Sequence, residues 1–218
     1  MYPLPMFRRA LPPPLDIEWP MKSWQDAELE LRYEQARMIL TIEHEIVRGV
    51  TPEMLDWWFR HIGGEMEVDG RTHSRYRVWH PLDHIDWRLV HGDPARVGVG
   101  AKFRIVEAFD RNPAWRVDSV ETVAKLDVTG IRLERHMLGS KIFSLEHWFD
   151  PASGGTRYRS QMELGADTAF GRLLFNRIIR PLVFGDLMGP AWLKHNVEEV
   201  GNFEHFLPRL FASEVGRA

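Results

Sequence analysis

The stretch "TRYRSQMELGADTAFGRLLFNRIIRPLVFGDLMGPAWLKHNVEEVGNFEHFLPRLF", residues 156–211, changes its period once. Up to Leu164 it alternates. Tyr158, Met162 and Leu164 share one face, and Arg157, Arg159, Gln161 and Glu163 take the other, as in a strand with one apolar side. From Ala169 onward the pattern is long, apolar and helical, with Pro181, Gly185 and Gly189-Pro190 placed to kink or divide it.

Upstream of this switch lie four more strand-like runs: "RVGVGAKFRIVEAFD" (96–110), "WRVDSVETVAKLDV" (115–128), "GIRLERHM" (130–137) and "SKIFSLEHWFD" (140–150). The segments between them, "RNPA", "TG", "LG" and "PASGG", have turn chemistry, so an antiparallel meander is expected, with "PASGG" the clearest hairpin loop. A helix is expected at "TPEMLDWWFRHIGG" (51–64), with Thr51 as N-cap, Pro52 in the first turn and Gly63-Gly64 as the stop. Leu29, Leu31, Met38, Ile39, Ile42, Ile46 and Val47 suggest another helix over Ser23–Val50. The start, "MYPLPMFRRALPPPLDIEWP", carries six prolines and reads as an extended arm on the surface or on a partner subunit, not as a signal peptide.

Helices, then a curved antiparallel sheet, then a long C-terminal helix give an α+β chain. A sheet wrapped on a long helix is the helix-grip arrangement of the START and Bet v 1-like folds, and it leaves a cavity between the two. The expected division is an N-terminal arm and helix over 1–50 and a helix-grip domain over 51–218.

Composition narrows the function. With 218 residues, 44 % apolar and a net charge of −3, the chain has no basic footprint for nucleic acid or an anionic membrane. No run of about 18 uncharged apolar residues occurs, so no membrane span is expected. The absence of cysteine removes disulfides, thiol catalysis and cysteine-ligated metals, and fits a cytoplasmic protein. A metal site must therefore draw on the ten histidines and 31 acidic residues. No dinucleotide, P-loop, nucleophile-elbow or HExxH motif is present.

The alternation that builds the sheet also turns polar groups inward. Glu107 shares a face with Phe103, Ile105 and Phe109, and His147 shares one with Phe143, Leu145 and Phe149. A buried unpaired carboxylate is costly, so Glu107 needs a partner, a proton or a metal. In "KHNVEEVGNFEH", His195 and Glu199 stand four apart on one helical face, a spacing that lets one imidazole and one carboxylate share a cation. Glu198 and the pair Glu204-His205 are competitors. In "RYRVWHPLDHIDW", His80 and His84 are also four apart, but Pro81 disfavours helix at His80, and His84 can enter a site from the turn that follows. Together His84, Glu107, His195 and Glu199 form a candidate ligand set with His147 nearby. Two imidazoles and two carboxylates suit zinc, iron or manganese.

"YRVWHPLDH", an inward Glu in the next strand, an inward His later in the sheet and HxxxE in the C-terminal helix resemble the diacetylphloroglucinol hydrolase and phloretin hydrolase family, over most of the chain from about Thr51. The resemblance implies a Bet v 1-like domain with a zinc ion, Zn2+, in its cavity, hydrolysing the carbon–carbon bond between an acyl group and a phenolic ring. It implies His84, Glu107, His195 and Glu199 as metal ligands and His147 as a catalytic histidine. It also implies Tyr76, eight residues before His84, as the group that grips a phenolic oxygen, a spacing that favours His84 over His80 as first ligand. A second substrate-binding tyrosine of the family has no counterpart: Met162 stands near its place and Tyr158 is the nearest tyrosine.

The expected activity is thus that of a zinc-dependent hydrolase acting on a small aromatic ketone, with a homo-oligomer through the N-terminal arm as a further expectation. The rival reading is a metal-free helix-grip protein, either a carrier of hydrophobic aromatic ligands or a polyketide cyclase. In a carrier Glu107 and His147 would pair with each other or with a ligand; in a cyclase they would act as base and acid.

Overall fold

The computed structural model describes residues 10–216. Its centre is a nine-stranded antiparallel sheet. The strands are β1 (Glu28–Glu34), β2 (Arg37–Glu43), β3 (Val47–Arg48), β6 (His84–His91), β7 (Lys102–Ala108), β8 (Arg116–Asp127), β9 (Gly130–Met137), β10 (Ser140–Ala152) and β11 (Gly155–Leu164). The short pair β4 (Glu65–Val68) and β5 (Arg71–Ser74) forms a separate two-stranded sheet. The order is β1-β2-β11-β10-β9-β8-β7-β6, with β3 on the far end of β11. From β6 to β11 the sheet is a plain meander, and Ser153-Gly154 closes the β10–β11 hairpin inside "PASGG" as expected.

The helix expected over Ser23–Val50 is not there. Residues 28–48 form β1, β2 and β3, and β2 pairs with β11 inside the sheet. The physical reason is legible afterwards. Met38, Leu40, Ile42 and His44 alternate with Ile39, Thr41 and Glu43, so period two competes with the helical spacing, and the β-branched isoleucines and Thr41 favour the strand. The helical part of the expected arm is corrected with it: β1, β2 and β3 are three of the nine strands of the sheet.

The arm expectation for residues 1–9 lies outside the described residues. Residues 10–22 run extended along their own chain. Leu15 N donates to the Pro81 carbonyl at 3.0 Å, Trp19 Nε1 donates to the Val78 carbonyl at 3.0 Å, and Ile17 is buried. This segment straps the turn that carries His80 and His84.

α1 (Pro52–His61) forms as its caps dictate, with Thr51 Oγ1 accepting from Met54 N. α2 (Arg75–Trp79) stops before Pro81, and its C-cap is His80. After the sheet come α3 (Ala169–Gly171), a π-helical stretch over Arg172–Ile179, and α4 (Arg180–Val183). A break around Gly185 then leads into α5 (Met188–Val215). Gly189-Pro190, read as a possible division, sits in the first turn of α5, where proline costs no helical hydrogen bond. α5 buries Trp192, His195, Asn196, Glu199, Phe203, Phe206 and Leu207 against the sheet and α1. This is the helix-grip fold, with a cavity of about 1390 Å³ held between sheet, α5 and the segment 175–188.

Candidate metal centre

Four elements converge against the cavity, whose lining includes Glu107, His195 and Glu199. The turn at Asp83 launches β6 with His84 as its first residue, and β6 pairs with β7 so that His84 stands opposite Glu107. α5 crosses behind them and presents His195 and Glu199 one turn apart. All four side chains are buried. His84 Nε2 lies 3.3 Å from Glu199 Oε2, and His195 Nε2 lies 3.7 Å from the same oxygen and 3.6 Å from Glu107 Oε2. One ligand atom each from His84, His195 and Glu199 falls within a 4.8 Å sphere of mutual distances. The four residues that sequence reasoning grouped as ligands are therefore neighbours, and His84 rather than His80 faces Glu199.

The far sides of both histidines are occupied. His84 Nδ1 bonds the Tyr76 carbonyl at 2.7 Å, and the Tyr76 ring stacks on the His84 ring. His195 Nδ1 lies 3.1 Å from Asp83 Oδ2, and Asp83 is itself fixed by the backbone N–H groups of Asp110 and Arg111. Imidazoles oriented this way present Nε2 to a common point, the arrangement that metal-ligating histidines use. His84 Nε2 is buried and has no hydrogen-bond partner, because the nearby Glu199 oxygen is off its donor axis. An orphaned buried nitrogen 3.3 Å from the Glu199 carboxylate fits a cation ligand. The donor set, two imidazoles and two carboxylates, fits zinc.

Electrostatics point the same way. Burial, with Glu107 and Asp83 close by, pushes the Glu199 carboxyl up to about 8. Burial alone would lower His195, but Asp83, Glu199 and Glu107 outweigh it and raise it to about 9. The metal-free site thus holds protons where negative charge is crowded, and a divalent cation would displace them. His84, buried and facing His195 and His80, is held neutral, well below the usual range.

Around this centre, Tyr76 Oη donates to Glu107 Oε1 at 2.6 Å and its ring lines the cavity. Asn196 Nδ2 donates to Glu199 Oε1 at 2.5 Å, and Trp79 Nε1 donates to the Glu199 carbonyl at 2.7 Å. His80 lies outside the four-residue centre, bonded to Glu198 at 3.3 Å and stacked on His195. Of the other competitors, Glu204 is tied to Lys22 at 2.7 Å and His205 stacks on Trp19.

His147 lines the same cavity from β10. Its Nδ1 bonds Ser160 Oγ at 2.9 Å, leaving Nε2 for the cavity side. Burial lowers its pKa to about 3, so the ring is neutral. Gly130 allows β9 to close on this strand: a Cβ there would come within 2.0 Å of the His147 carbonyl oxygen. Glu107 and His147 are not bonded to each other: Glu107 accepts from Tyr76, and His147 bonds Ser160.

Tyr158, expected to bind substrate, does not line the cavity. Its ring is fully buried between His44, His147 and Phe149, and its hydroxyl has no partner there. Met162 does line the cavity. Sequence reasoning missed Asp83, Asn196, Ser160 and His44. Ser160 was within reach, since it shares the face of Tyr158 and Met162; His44 was hidden by the helical reading of its segment.

Residues 34–113, which carry Tyr76, His84 and Glu107, match the model of the DAPG hydrolase PhiG domain. No curated protein matches the chain. Among solved structures, the chain is similar to Ara h 8.0201, at 11 % identity over 77 % of this chain and 98 % of that one, with a TM-score of 0.46. It is similar to ginseng major latex-like protein 151 from Panax ginseng, at 9 % identity over 78 % and 97 % of the two chains, with a TM-score of 0.46. It is also similar to the di-domain ARO/CYC BexL of the BE-7585A biosynthetic pathway, at 10 % identity over 79 % of this chain and 50 % of that one, with a TM-score of 0.48.

Proposed function

We propose that the chain is a zinc-dependent hydrolase that cleaves the carbon–carbon bond between an acyl group and a phenolic ring. The observation that carries the reading is the convergence of His84 Nε2, His195 Nε2, Glu199 and Glu107 at one end of an aromatic-lined cavity. The match of residues 34–113 to a hydrolase domain model supports it.

His84, Glu107, His195 and Glu199 would hold the ion. Zinc, when bound, supplies a Lewis acid for the ketone oxygen and the charge that makes water acidic near neutral pH. The rest falls to the protein. Phe59, Trp79, Phe109 and Trp192 line the cavity and suit a flat aromatic ketone while limiting water. Tyr76 donates its own proton to Glu107, so it receives a phenolic hydroxyl as acceptor. His147, neutral and facing the cavity, takes a proton from the attacking water and returns it to the ring carbon as the acyl–aryl bond breaks. Ortho and para hydroxyls make that cleavage accessible, because the proton placed on the acyl-bearing ring carbon gives a dienone, and the bonding pair returned to the ring as the acyl–aryl bond breaks restores the aromatic phenol.

Metal analysis tests the reading together with an assay on an acylphloroglucinol. About one zinc per chain, lost in His195→Ala with the fold kept, and release of the carboxylic acid support it. A wild-type protein that binds no divalent cation at micromolar concentration overturns it.

A further inference from the structure

Behind His147 lies a second histidine that the reaction above does not use. β10 and β11 pair His147 directly across from Ser160, and the end of β2 brings His44 to the other side of the same serine. Ser160 Oγ is 2.9 Å from His147 Nδ1 and 2.9 Å from His44 Nε2. Ser160 and His147 are buried, whereas His44 is partly exposed and borders a small surface dent lined by Lys22, Asp26, Glu45 and Val200. A chain of three hydrogen-bonding groups therefore runs from the cavity wall to the outside of the molecule.

One hydroxyl between two imidazole nitrogens has a single proton to give. If it donates to His44 Nε2, it accepts from His147 Nδ1–H, and His147 then offers a bare Nε2 to the cavity. If it donates to His147 Nδ1, it accepts from His44 Nε2–H, and His147 then offers Nε2–H. The two histidines must share one tautomer, both Nδ1–H or both Nε2–H. The first state is a base facing the cavity, and the second is an acid.

We propose that Ser160 and His44 are positioning residues that act through His147, forming a proton relay that switches its cavity-facing nitrogen between base and acid and connects it to solvent. This rests on the reading of His147 as the proton carrier of the hydrolase. In the forward step the water O–H bond breaks as its oxygen joins the acyl carbon, and the proton goes to His147 Nε2. The His147 Nδ1 proton passes to Ser160 Oγ, and the serine's own proton passes to His44 Nε2. When the ring carbon departs with the bonding pair, it takes the His147 Nε2 proton and the chain runs back. Positive charge thus never rests on His147, where burial opposes it. Burial, His147 and Lys22 also lower His44, with Asn196 opposing, so His44 passes the charge on or returns it and does not store it. The groups that face His44 are Lys22, Asp26 and Glu45 from the outside, Asn196 from α5, and His147 and Tyr158 from the sheet.

The decisive measurement is a long-range proton–nitrogen NMR spectrum of the metal-free full chain, labelled with nitrogen-15 in histidine. Matching tautomers at His44 and His147 in the wild type, with the His147 tautomer no longer fixed in His44→Phe, support the relay. Opposite tautomers overturn it. In kinetics, Ser160→Ala and His44→Phe are expected to lower kcat roughly 10-fold or more with KM changed less than about 3-fold, short of the roughly 10²- to 10⁴-fold loss from removing the base itself. Zinc content stays at the wild-type level in both. Wild-type kcat in a folded His44→Phe also overturns the relay, whether or not Ser160→Ala folds. A wild type inactive on acyl-phenols would sink the hydrolase reading alone, and the tautomer pairing would then decide the relay by itself.

Discussion

The Tyr76 ring lies flat on the His84 ring, with centroids 4.0 Å apart and planes within 1° of parallel, while the carbonyl of the same tyrosine bonds His84 Nδ1 at 2.7 Å. One residue thus fixes both the plane and the tautomer of its neighbour eight positions on, and its hydroxyl also fixes Glu107. Tyr76→Phe keeps the stack and the carbonyl but frees Glu107 Oε1. We expect the fold to be unchanged and zinc affinity to fall about 10-fold, measured by titration calorimetry. Tyr76→Ala also opens a cavity and should cost about 3–5 kcal/mol in thermal or denaturant unfolding. Equal zinc affinity in wild type and Tyr76→Phe would remove this role.

Asp83 reaches the centre only through His195. It accepts from the N–H groups of Asp110 and Arg111, both of which have positive φ, and bonds His195 Nδ1. Non-glycine residues in that region carry strain, which the carboxylate offsets. Asp83→Asn has one acceptor oxygen where the aspartate has two and no charge to hold His195. The expected results are a roughly 10- to 100-fold loss of zinc affinity and a lower melting temperature even without metal. A melting temperature equal to wild type would show that the loop does not need the carboxylate.

Glu107 opposes His84 across β6 and β7, accepts from Tyr76 Oη, and holds its other oxygen 3.6 Å from His195 Nε2. Glu107→Gln keeps the shape and an acceptor for Tyr76 but replaces a ligand carboxylate with a neutral amide. Zinc affinity should fall by roughly 10-fold or more, measured by titration calorimetry on the folded variant. A folded variant that keeps wild-type zinc affinity would place Glu107 outside the ligand set.

The centre was legible in the sequence because its ligands sit on regular elements. Glu107 and His147 break an alternation, and His195 and Glu199 share a helical face, so period alone exposes them. Their supports are not periodic. Asp83 acts from a turn, Asn196 looks like any polar residue on a helix, and no local pattern says that Ser160 and His44 meet across two strands. The error over residues 23–50 has the same origin. A window with isoleucines at both helical and alternating spacings is decided by its neighbours, and here the free edge of β11 selects the strand. Tyr158 failed for a related reason: alternation says that a side chain points inward, but not whether it reaches the cavity or stops in the packed layer beside it.

Acid and alkali should destabilise the metal-free protein through different residues. His44 and His147 are lowered to about 3 by burial, so from pH 6.5 downward the unfolded chain binds more protons than the folded one. Their contribution is complete above about pH 6.5 and is lost as pH falls toward 3, by about 2 kcal/mol each at pH 5 as an order of magnitude. Glu199 and His195 run the other way. Raised to about 8 and about 9, they bind protons in the folded state that the unfolded chain has released. Their contribution is complete below their ordinary values, near 4.5 and 6.5, and is lost as pH rises through 8 and 9. The metal-free protein should therefore be most stable near pH 6. Denaturant unfolding across pH 4 to 10 measures this. His44→Phe should flatten the acid flank and leave the alkaline one, and Glu199→Gln should do the reverse. Saturating zinc should remove the alkaline flank in the wild type, because the ion replaces the protons that hydroxide takes away. An alkaline flank that persists with zinc bound would mean that the cation and these protons do not compete, and that the ion, if bound, sits elsewhere.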